Sequence, residues 1–435
     1  MVAGEWLTAR SLRWRREEFG CIVARPDGDI DLYDHSVSRL LEQERIATTE
    51  LDQHRLRGFT AVSEQFHLRH PLIVSIEISR ACELKCPHCY IDGGDARANE
   101  LSRGELFELV DDLHRCGVFC LQFIGGEPLE HPDFLDLLTY AHELGFVTSF
   151  VTNGLHLTDD VIARLPTRDF GMGLSIDGIE SNALLRGSES RFEVIAERAL
   201  KLKRAGVDFN IVLTLNKLNI KEAPRLIAWC RENDVMLETL ETQMIGRARN
   251  AQGLQLSPLD VEDDLAVFVA KEELEDYYEE CVDPRAKLYY AGFLQLAYWL
   301  DSLTARCKGA RSIAYIASNG DVYPCSNCAG EEILSGGNVR LAPFSLLWAY
   351  SFQEMRDITF EKFDRCHGCE LGHSQYSCSG KCPALSHALN RTYTDCGATP
   401  YTRAIVKART HKYLEIHTQK SHGQMNPSRT IRVTR

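Results

Sequence analysis

Residues 81–90 read Ala81-Cys82-Glu83-Leu84-Lys85-Cys86-Pro87-His88-Cys89-Tyr90, and they bring three thiols into one short loop. Cysteine thiolates are ligands for zinc and for iron–sulfur clusters. Three cysteines are one short of a closed four-ligand site. A metal group bound here therefore keeps one coordination position for a substrate or a cofactor.

The loop follows directly on an apolar run that predicts a β-strand. From Leu72 onward, strands alternate with amphipathic helices, which is typical of βα units around a parallel sheet. The predicted strands are 72–78, 119–124, 147–151, 171–176, 209–214 and 237–242. The predicted helices lie near 102–115, 132–144, 159–165, 192–205, 220–233 and 258–278. These six units predict an α/β fold with a partial (β/α)6 barrel, and barrel enzymes keep their sites at the carboxyl ends of the strands.

A second motif follows the second predicted strand and reads Gly125-Gly126-Glu127-Pro128. Two glycines let a ligand approach the backbone closely, and the Glu127 carboxylate is suited to a cationic group such as an ammonium. Alone this turn is a weak signal. One βα unit after the cysteine loop, it favours a binding site.

With both motifs, residues 72–248 resemble a radical S-adenosylmethionine enzyme. The resemblance implies that Cys82, Cys86 and Cys89 hold a [4Fe–4S] cluster whose open iron takes the amino and carboxylate groups of S-adenosylmethionine. It implies one-electron reduction of the sulfonium and a 5′-deoxyadenosyl radical that abstracts hydrogen from a substrate. The further cofactor-binding residues that it implies are Gly125, Gly126, Glu127 and Pro128 for the amino group, Ser175 and Arg186 for the carboxylate, and Asn153 and Ile245 for the ribose and adenine. Tyr90 is expected to bind the cofactor as well.

A second cysteine-rich region resembles the SPASM domain, which carries auxiliary [4Fe–4S] clusters. The resemblance implies one cluster on Cys366, Cys369, Cys378 and Cys396, and another on Cys307, Cys325 and Cys382. Eight residues instead of five separate Cys369 from Cys378, and they include His373. The fourth ligand of the other cluster is left open between Cys328, Cys281 and a substrate-facing iron. A pair of zinc ribbons is the alternative reading of these cysteines.

For the regions outside the barrel the sequence predicts only domain bounds and a few elements. Residues 1–70 predict a small α+β module with a hairpin and a helix from about 35 to 45, which either binds a leader peptide by strand addition or caps the barrel. The predicted barrel domain is 71–299 and the loop-rich cluster domain 300–400. Residues 401–435 are expected to form a helix and a basic, disordered tail. Cys21, Cys116, Cys120, Cys230 and the aromatic run 289–299 are interpreted as core.

The composition of the chain argues against several classes of partner and cellular location. The net charge of −13 argues against a nucleic-acid or anionic-membrane partner. No apolar run is long enough to span a bilayer and the N-terminus lacks the features of a signal peptide, so we expect a cytoplasmic protein. Sixteen cysteines in a reducing compartment point to metal ligation instead of disulfides.

The sequence therefore predicts a radical oxidoreductase that modifies a ribosomally synthesised peptide, by a crosslink or an oxidation. The expected partners are a precursor peptide carrying a leader and an electron donor such as flavodoxin or ferredoxin. A radical enzyme acting on a tetrapyrrole or a sugar is the first alternative. A non-catalytic iron–sulfur or zinc scaffold is the second.

Overall fold

The computed structural model of the protein describes residues 6–8, 12–24, 30–43, 45–47, 54, 56, 67–281, 307–358, 362, 369, 382–390, 392 and 394–421. The N-terminal strands are β1 (Trp6–Thr8), β2 (Arg13–Glu17), β3 (Gly20–Ala24), β4 (Ile30–Tyr33) and β5 (Arg45–Ala47). The barrel strands are β6 (Ile73–Glu77), β7 (Cys120–Ile124), β8 (Val147–Thr152), β9 (Phe170–Ser175), β10 (Phe209–Leu215) and β11 (Met236–Glu241). The last two strands are β12 (Ile313–Ile316) and β13 (Val322–Tyr323).

The described helices alternate with the barrel strands and then continue into the C-terminal region. They are α1 (His35–Glu42), α2 (Arg103–Arg115), α3 (Phe134–Glu143), α4 (Asp159–Arg164), α5 (Ser181–Arg186), α6 (Phe192–Arg204), α7 (Ala223–Glu232), α8 (Val261–Cys281), α9 (Phe344–Tyr350), α10 (Gln353–Arg356), α11 (Pro383–Asn390) and α12 (Pro400–Ser421). Helix α5 was not predicted from the sequence. None of the described helices combines the length and the apolar character that a membrane span requires.

One sheet of eight strands forms the centre of the described structure, in the order β11-β10-β9-β8-β7-β6-β12-β13. All neighbouring pairs are parallel except β12 and β13. The six barrel strands stand side by side in chain order, and the predicted partial barrel is confirmed. The buried faces of α2, α3, α6 and α7 pack in one apolar core with the strands. The strand ends that carry the predicted site all meet at one end of this sheet.

The C-terminal strands were not predicted, because the region after residue 300 was read as loops. Strand β12 pairs with β6, the first barrel strand, and so extends the barrel sheet at that edge. Glu77, the last residue of β6, is fully buried. Its carboxylate accepts a hydrogen bond from the Ser318 hydroxyl at 2.7 Å, one from the Arg80 guanidinium at 3.2 Å and one from the Tyr315 hydroxyl. The C-terminal region thus contacts the strand that leads into the cysteine loop.

The N-terminal module is a three-stranded antiparallel sheet, β2-β3-β4, followed by α1. The hairpin of β3 and β4 was predicted, and β2 was not. Gly20 has φ +142°, and a Cβ there would stand 2.0 Å from the Tyr33 carbonyl oxygen, so only glycine fits this turn. Helix α1 ends at Glu42 instead of near 45, because Arg45–Ala47 pairs with β1. Asp34 caps α1 by accepting the Ser36 N–H at 2.7 Å.

Two arginines of β2 attach this module to the barrel. Arg13 donates to the carbonyl oxygens of Val118 at 2.6 Å and Phe119 at 2.8 Å. Arg15 is buried and donates to the Pro71 carbonyl at 3.0 Å. These carbonyls precede the barrel strands, so the module lies at the amino ends of the strands. The cysteine loop lies at the opposite end of the same sheet.

Arg15 also forms a buried ion pair with Glu17, whose two charged groups approach to 2.7 Å. The second carboxylate oxygen of Glu17 accepts the Arg69 N–H at 2.9 Å. Arg16, one position along the strand, instead pairs with Glu42 where both side chains are about half exposed. Arg15 and Arg16 therefore carry the same charge, but the ion pair of Arg15 is buried and that of Arg16 is exposed to solvent.

We expect Arg15→Ala to lower the free energy of opening of β2 and β3 by about 3–5 kcal/mol, because it leaves the Glu17 carboxylate buried without its cation. Amide hydrogen exchange should then lose protection by about 100-fold or more in residues 13–24. Arg16→Ala is the control and should change the free energy by about 1 kcal/mol or less. Equal protection in the two variants would contradict this account of the attachment.

Candidate active site

The cysteine loop is folded back on itself by its own backbone. The Cys82 N–H donates to the Gly94 carbonyl at 2.8 Å, and the Cys89 N–H donates to the Cys86 carbonyl at 3.2 Å. The thiol of Cys89 accepts the Gly93 N–H at 3.3 Å. All three cysteines are half-buried, so they are available to a ligand and screened from bulk water. The loop brings the three thiols to one cavity at the carboxyl ends of the strands.

This cavity has a volume of about 470 Å³. The predicted site residues that line it are Cys82, Cys86, Cys89, Tyr90, Gly125, Gly126, Asn153, Ser175 and Arg186. Glu127, Pro128 and Ile245 are not among its lining residues and are buried beside it. These nine residues come from the ends of four separate strands, and they meet around one space large enough for a cofactor.

The two glycines of the second motif fix its loop against the cysteine loop. A Cβ on Gly126 would stand 1.9 Å from the Ala81 carbonyl oxygen, and one on Gly125 would stand 2.3 Å from that of Ser79. The Gly126 N–H donates to the Ser79 carbonyl at 2.9 Å. The glycines are thus required for contact between two loops, in addition to any approach of a ligand.

Glu127 differs from its predicted arrangement, in which the carboxylate faced a cationic ligand. The side chain is buried and accepts hydrogen bonds from the Thr152 hydroxyl at 2.7 Å, the Asn153 N–H at 2.8 Å and the Leu129 N–H at 3.1 Å. It links the second strand-end loop to the third. Burial raises the pKa of Glu127 to about 7, although these hydrogen bonds act in the opposite direction.

Asn153 has a similar positioning role. Its side-chain amide donates to the Glu83 carboxylate at 2.9 Å, and its side-chain oxygen accepts the Leu155 N–H at 2.9 Å. Glu83, Glu130 and His156 form a surface group here whose ligand atoms lie within 4.8 Å of one another. Asn153 therefore ties the third strand-end loop to the cysteine loop while one of its faces lines the cavity.

Asp177 holds two residues that line the cavity, Arg186 and His88, and it was missed as a site residue, although Ser175, two positions earlier, was predicted. Its carboxylate pairs with the Arg186 guanidinium at 2.7 Å and with the His88 imidazole at 3.0 Å. Its other oxygen accepts the Thr214 N–H at 2.9 Å. Burial alone would raise the pKa of Asp177, but Arg186 and His88 hold it below its ordinary range. An acid two residues past a strand end was the available sequence signal.

The segment after β11 is also attached to the cysteine loop. Gly246 has φ +58°, and a Cβ there would stand 2.2 Å from the Tyr90 carbonyl oxygen. The Arg247 N–H donates to the Cys89 carbonyl at 2.9 Å, and its guanidinium donates to the Cys86 carbonyl at 3.1 Å. The segment around Ile245 was predicted to line the ribose and adenine region, but the contact of Arg247 with a carbonyl 161 positions away leaves no local signal in the sequence.

The C-terminal cysteines lie at the edge of the same cavity. Ser326 and Asn327 line it, and they are flanked by Cys325 and Cys328, whose sulfur atoms are 3.6 Å apart. Their mutual hydrogen bond lowers the pKa of the Cys325 thiol and raises that of the Cys328 thiol. Burial and the charges of the Cys325, Cys307 and Cys382 thiols raise the pKa of Cys328 further.

The other predicted auxiliary ligands are only partly described. Cys369 and Cys396 are half-buried, and the Cys396 thiol accepts a hydrogen bond from the Arg403 guanidinium at 3.3 Å. Cys366, Cys378 and His373 lie outside the described residues, as do the aromatic run 289–299 and the tail 422–435. Cys21, Cys116, Cys120 and Cys230 are buried in the apolar cores, as expected of small apolar side chains.

Comparison with known proteins gives two family matches. A profile of the radical SAM superfamily matches residues 76–230, and a profile of SPASM, an iron–sulfur cluster-binding domain, matches residues 307–370. Mycofactocin maturase MftC of Mycobacterium ulcerans is 30% identical over 335 residues, which cover 74% of this chain and 86% of that protein. AdoMet-dependent heme synthase of Methanosarcina barkeri is 26% identical over 340 residues, which cover 75% of this chain and 95% of that protein.

A solved structure gives a match in fold. SuiB of Streptococcus suis, crystallised with its precursor peptide SuiA, has a TM-score of 0.67 at 16% identity. The match covers 91% of this chain and 99% of that one. At this identity the likeness is one of architecture.

The burial of Glu127 predicts that the free energy of unfolding of the metal-free protein depends on pH. Folding raises its pKa from 4.5 to about 7, so the folded state holds a proton that the unfolded state releases between these values. The stability that this proton contributes is present at low pH and is lost as the pH rises through about 7. The free energy of unfolding of the protein, relative to that of Glu127→Gln, should fall by about 3 kcal/mol between about pH 4.5 and 8.

Urea unfolding of both proteins at several pH values measures this difference, because the other titrating groups cancel. A difference that stays constant over the range would show that Glu127 is ionised throughout in the folded protein.

Proposed function

Because the chain belongs to the radical SAM superfamily and carries a SPASM iron–sulfur domain, we propose that it is an oxidoreductase that modifies a ribosomally synthesised peptide. The observation that carries this proposal is the meeting of two cysteine groups at one cavity. The three-thiol loop lines one wall, and the loop between Cys325 and Cys328 lines another. A substrate held in this space contacts both regions.

The three-thiol loop fits a [4Fe–4S] cluster, because thiolates are its usual ligands and three of them leave one iron open. Cys82, Cys86 and Cys89 would hold it. When bound, the cluster and S-adenosylmethionine supply one-electron reductive cleavage of a sulfonium and radical abstraction of hydrogen. An electron donor such as flavodoxin or ferredoxin is part of this proposal.

The residues around the loop would bind and orient the cofactor. The carboxylate of Asp177 fixes the Arg186 guanidinium, which would then face the cofactor's carboxylate across the cavity. The carbonyl groups near Gly125 and Gly126 would receive its ammonium. The segment from Ile245 to Ala248 is bound to the backbone of Cys89 and would line the adenine side. The loop-to-loop contacts close the space between these groups against water.

We propose four thiols for the first auxiliary cluster: Cys307, Cys325, Cys328 and Cys382. Cys328 is buried and lies 3.6 Å from Cys325 between the sulfur atoms, which supports it over Cys281 and over a substrate group as the fourth ligand. Such a site has no open iron. For the second cluster, the proposed ligands remain Cys366, Cys369, Cys378 and Cys396. Closed clusters suit electron transfer better than substrate binding.

We propose further that the module before residue 70 contacts a leader peptide. The outer edge of β4 is already contacted by the chain itself, since the Leu56 N–H donates to the Leu32 carbonyl at 2.8 Å. Strand β2 forms the other edge of that sheet among the described residues. The module lies at the amino ends of the barrel strands, so a leader there would be separated from the cavity by about 20 Å, the length of a six-residue strand. A purely capping role is the alternative.

A tetrapyrrole substrate is the second candidate function, favoured by the heme synthase relative of Methanosarcina barkeri. That protein is similar over 95% of its own length and over 75% of this chain. Peptide maturases and heme synthases both match this chain, so the domains present do not identify the substrate. An assay of the reaction is needed to identify it.

The deciding experiment incubates the anaerobically reconstituted protein with S-adenosylmethionine, a reductant and either peptides encoded beside its gene or an iron porphyrin. We expect cleavage of the cofactor together with a mass change in a peptide. A variant with Cys82→Ala, Cys86→Ala and Cys89→Ala should lose about four irons and all cofactor cleavage. Modification of the porphyrin alone would support the second candidate, and cleavage by the triple variant would contradict the site itself.

The Cys328 assignment predicts a difference between two buried cysteines. Cys328→Ala should reduce the iron content from about 12 to about 8 per chain, or change the electron paramagnetic resonance spectrum of one cluster, because a ligand is missing. Cys230→Ala is the matched control, since Cys230 is equally buried in the core around α7. Iron content and spectra that are identical in the two variants would overturn the assignment.

A further inference from the structure

The cavity is bounded by both edges of the central sheet. Strand β11 forms one edge and β13 the other among the described residues. The lining nevertheless includes Leu240, Glu241 and Gln243 from the end of β11, together with Ser326 and Asn327 from just after β13. The sheet therefore curves until its two edges meet at one space. The residues proposed to hold the cofactor line other parts of the cavity, so this wall is available to the substrate.

Glu241 is distinctive in this wall. It is the last residue of β11, and it contributes the one carboxylate among the described lining residues. Its side chain is half-buried. Within the part of the chain that the structure describes, no group donates a hydrogen bond to this carboxylate; the Gln243 side-chain amide donates to the backbone carbonyl of Glu241 instead, at 3.3 Å. Burial raises the pKa of Glu241, which agrees with a carboxylate that has lost water without gaining a donor.

Arg409, the cation whose charge lowers the pKa of Glu241, is itself paired with another acid. Arg409 of α12 forms two hydrogen bonds to Asp264 of α8, at 2.6 and 2.7 Å. The Tyr401 hydroxyl also donates to Asp264, at 2.5 Å. Arg409 lowers the pKa of Glu241 while Asp264 raises it, as expected where the arginine's charge is shared with a closer partner. The carboxylates of Glu241 and Asp264 and the guanidinium of Arg409 together carry a net negative charge.

A partly desolvated carboxylate without a partner is unfavourable, and an incoming cation removes that penalty. We propose that Glu241 binds a lysine or arginine side chain of the substrate peptide and so positions the peptide in the cavity. This inference rests on the proposed peptide substrate and names the chemical class of residue that the cavity selects. Gln243 and Asn327, which also line the cavity, offer amide groups to the peptide backbone next to that cation.

The experiment uses the reconstituted holoprotein with S-adenosylmethionine and two probe peptides, acetyl-Gly-Gly-Lys-Gly-Gly-amide and the same peptide with norleucine for lysine. Binding is measured by ligand-observed nuclear magnetic resonance titration. The lysine peptide should bind at least about 10-fold more tightly than the norleucine peptide, and Glu241→Gln should remove that preference. Glu241→Asp keeps the charge and should retain part of the preference, which separates loss of charge from loss of fold.

Glu238→Gln is the matched control, because Glu238 lies on the same strand with an exposed side chain that does not line the cavity. It should leave both affinities unchanged. Equal binding of the two peptides to the unaltered protein would overturn the inference. A Glu241→Gln variant that binds S-adenosylmethionine more weakly but keeps its affinity for the lysine peptide would also overturn it. Neither result affects the proposed function, which is measured by cofactor cleavage coupled to a change in peptide mass.

Discussion

The site depends on close backbone contact between the cysteine loop and the loops that follow the neighbouring strands. At Gly126 and Gly246 a single added carbon would stand 1.9 and 2.2 Å from carbonyl oxygens of the cysteine loop, at Ala81 and Tyr90. No side chain can occupy that space, so the loops contact one another through backbone hydrogen bonds. The thiols are then positioned by the sheet itself, since each contacting loop begins at the end of a paired strand. This is the pre-organisation that a site for a reactive cofactor needs.

Three buried carboxylates stabilise the loops that make these contacts. Glu77 links the first barrel strand to the C-terminal region, Glu127 links the second and third strand-end loops, and Asp177 holds Arg186 and His88 at the fourth. Each is buried and each accepts several hydrogen bonds, so its desolvation is offset within the fold. Glu241 is different, because its carboxylate faces the cavity without such donors in the described part of the chain. The contrast separates carboxylates that build the site from one that is available to a substrate.

The sequence was sufficient to predict features that are encoded by a local pattern of residues. The six barrel strands follow from short apolar runs alternating with amphipathic helices, and the cysteine spacing pointed to the loop that lines the cavity. It was insufficient where a residue acts through a distant partner. Strand β12 has only four residues and is stabilised by pairing with β6, and Arg247 acts on a carbonyl 161 positions away. Glu127 was placed in the right loop with the wrong orientation, because a motif does not reveal which donors the next strand end supplies.

The central claim is that the three thiols leave one iron open and that S-adenosylmethionine occupies that position. Electron–nuclear double resonance of the reduced, reconstituted protein tests it directly, using S-adenosylmethionine labelled with ¹⁵N in the amino group and ¹⁷O in the carboxylate. The account predicts hyperfine coupling of both labels to a cluster that is lost with Cys82, Cys86 and Cys89. A cluster spectrum that does not respond to the cofactor, with no coupling to either label, would contradict it.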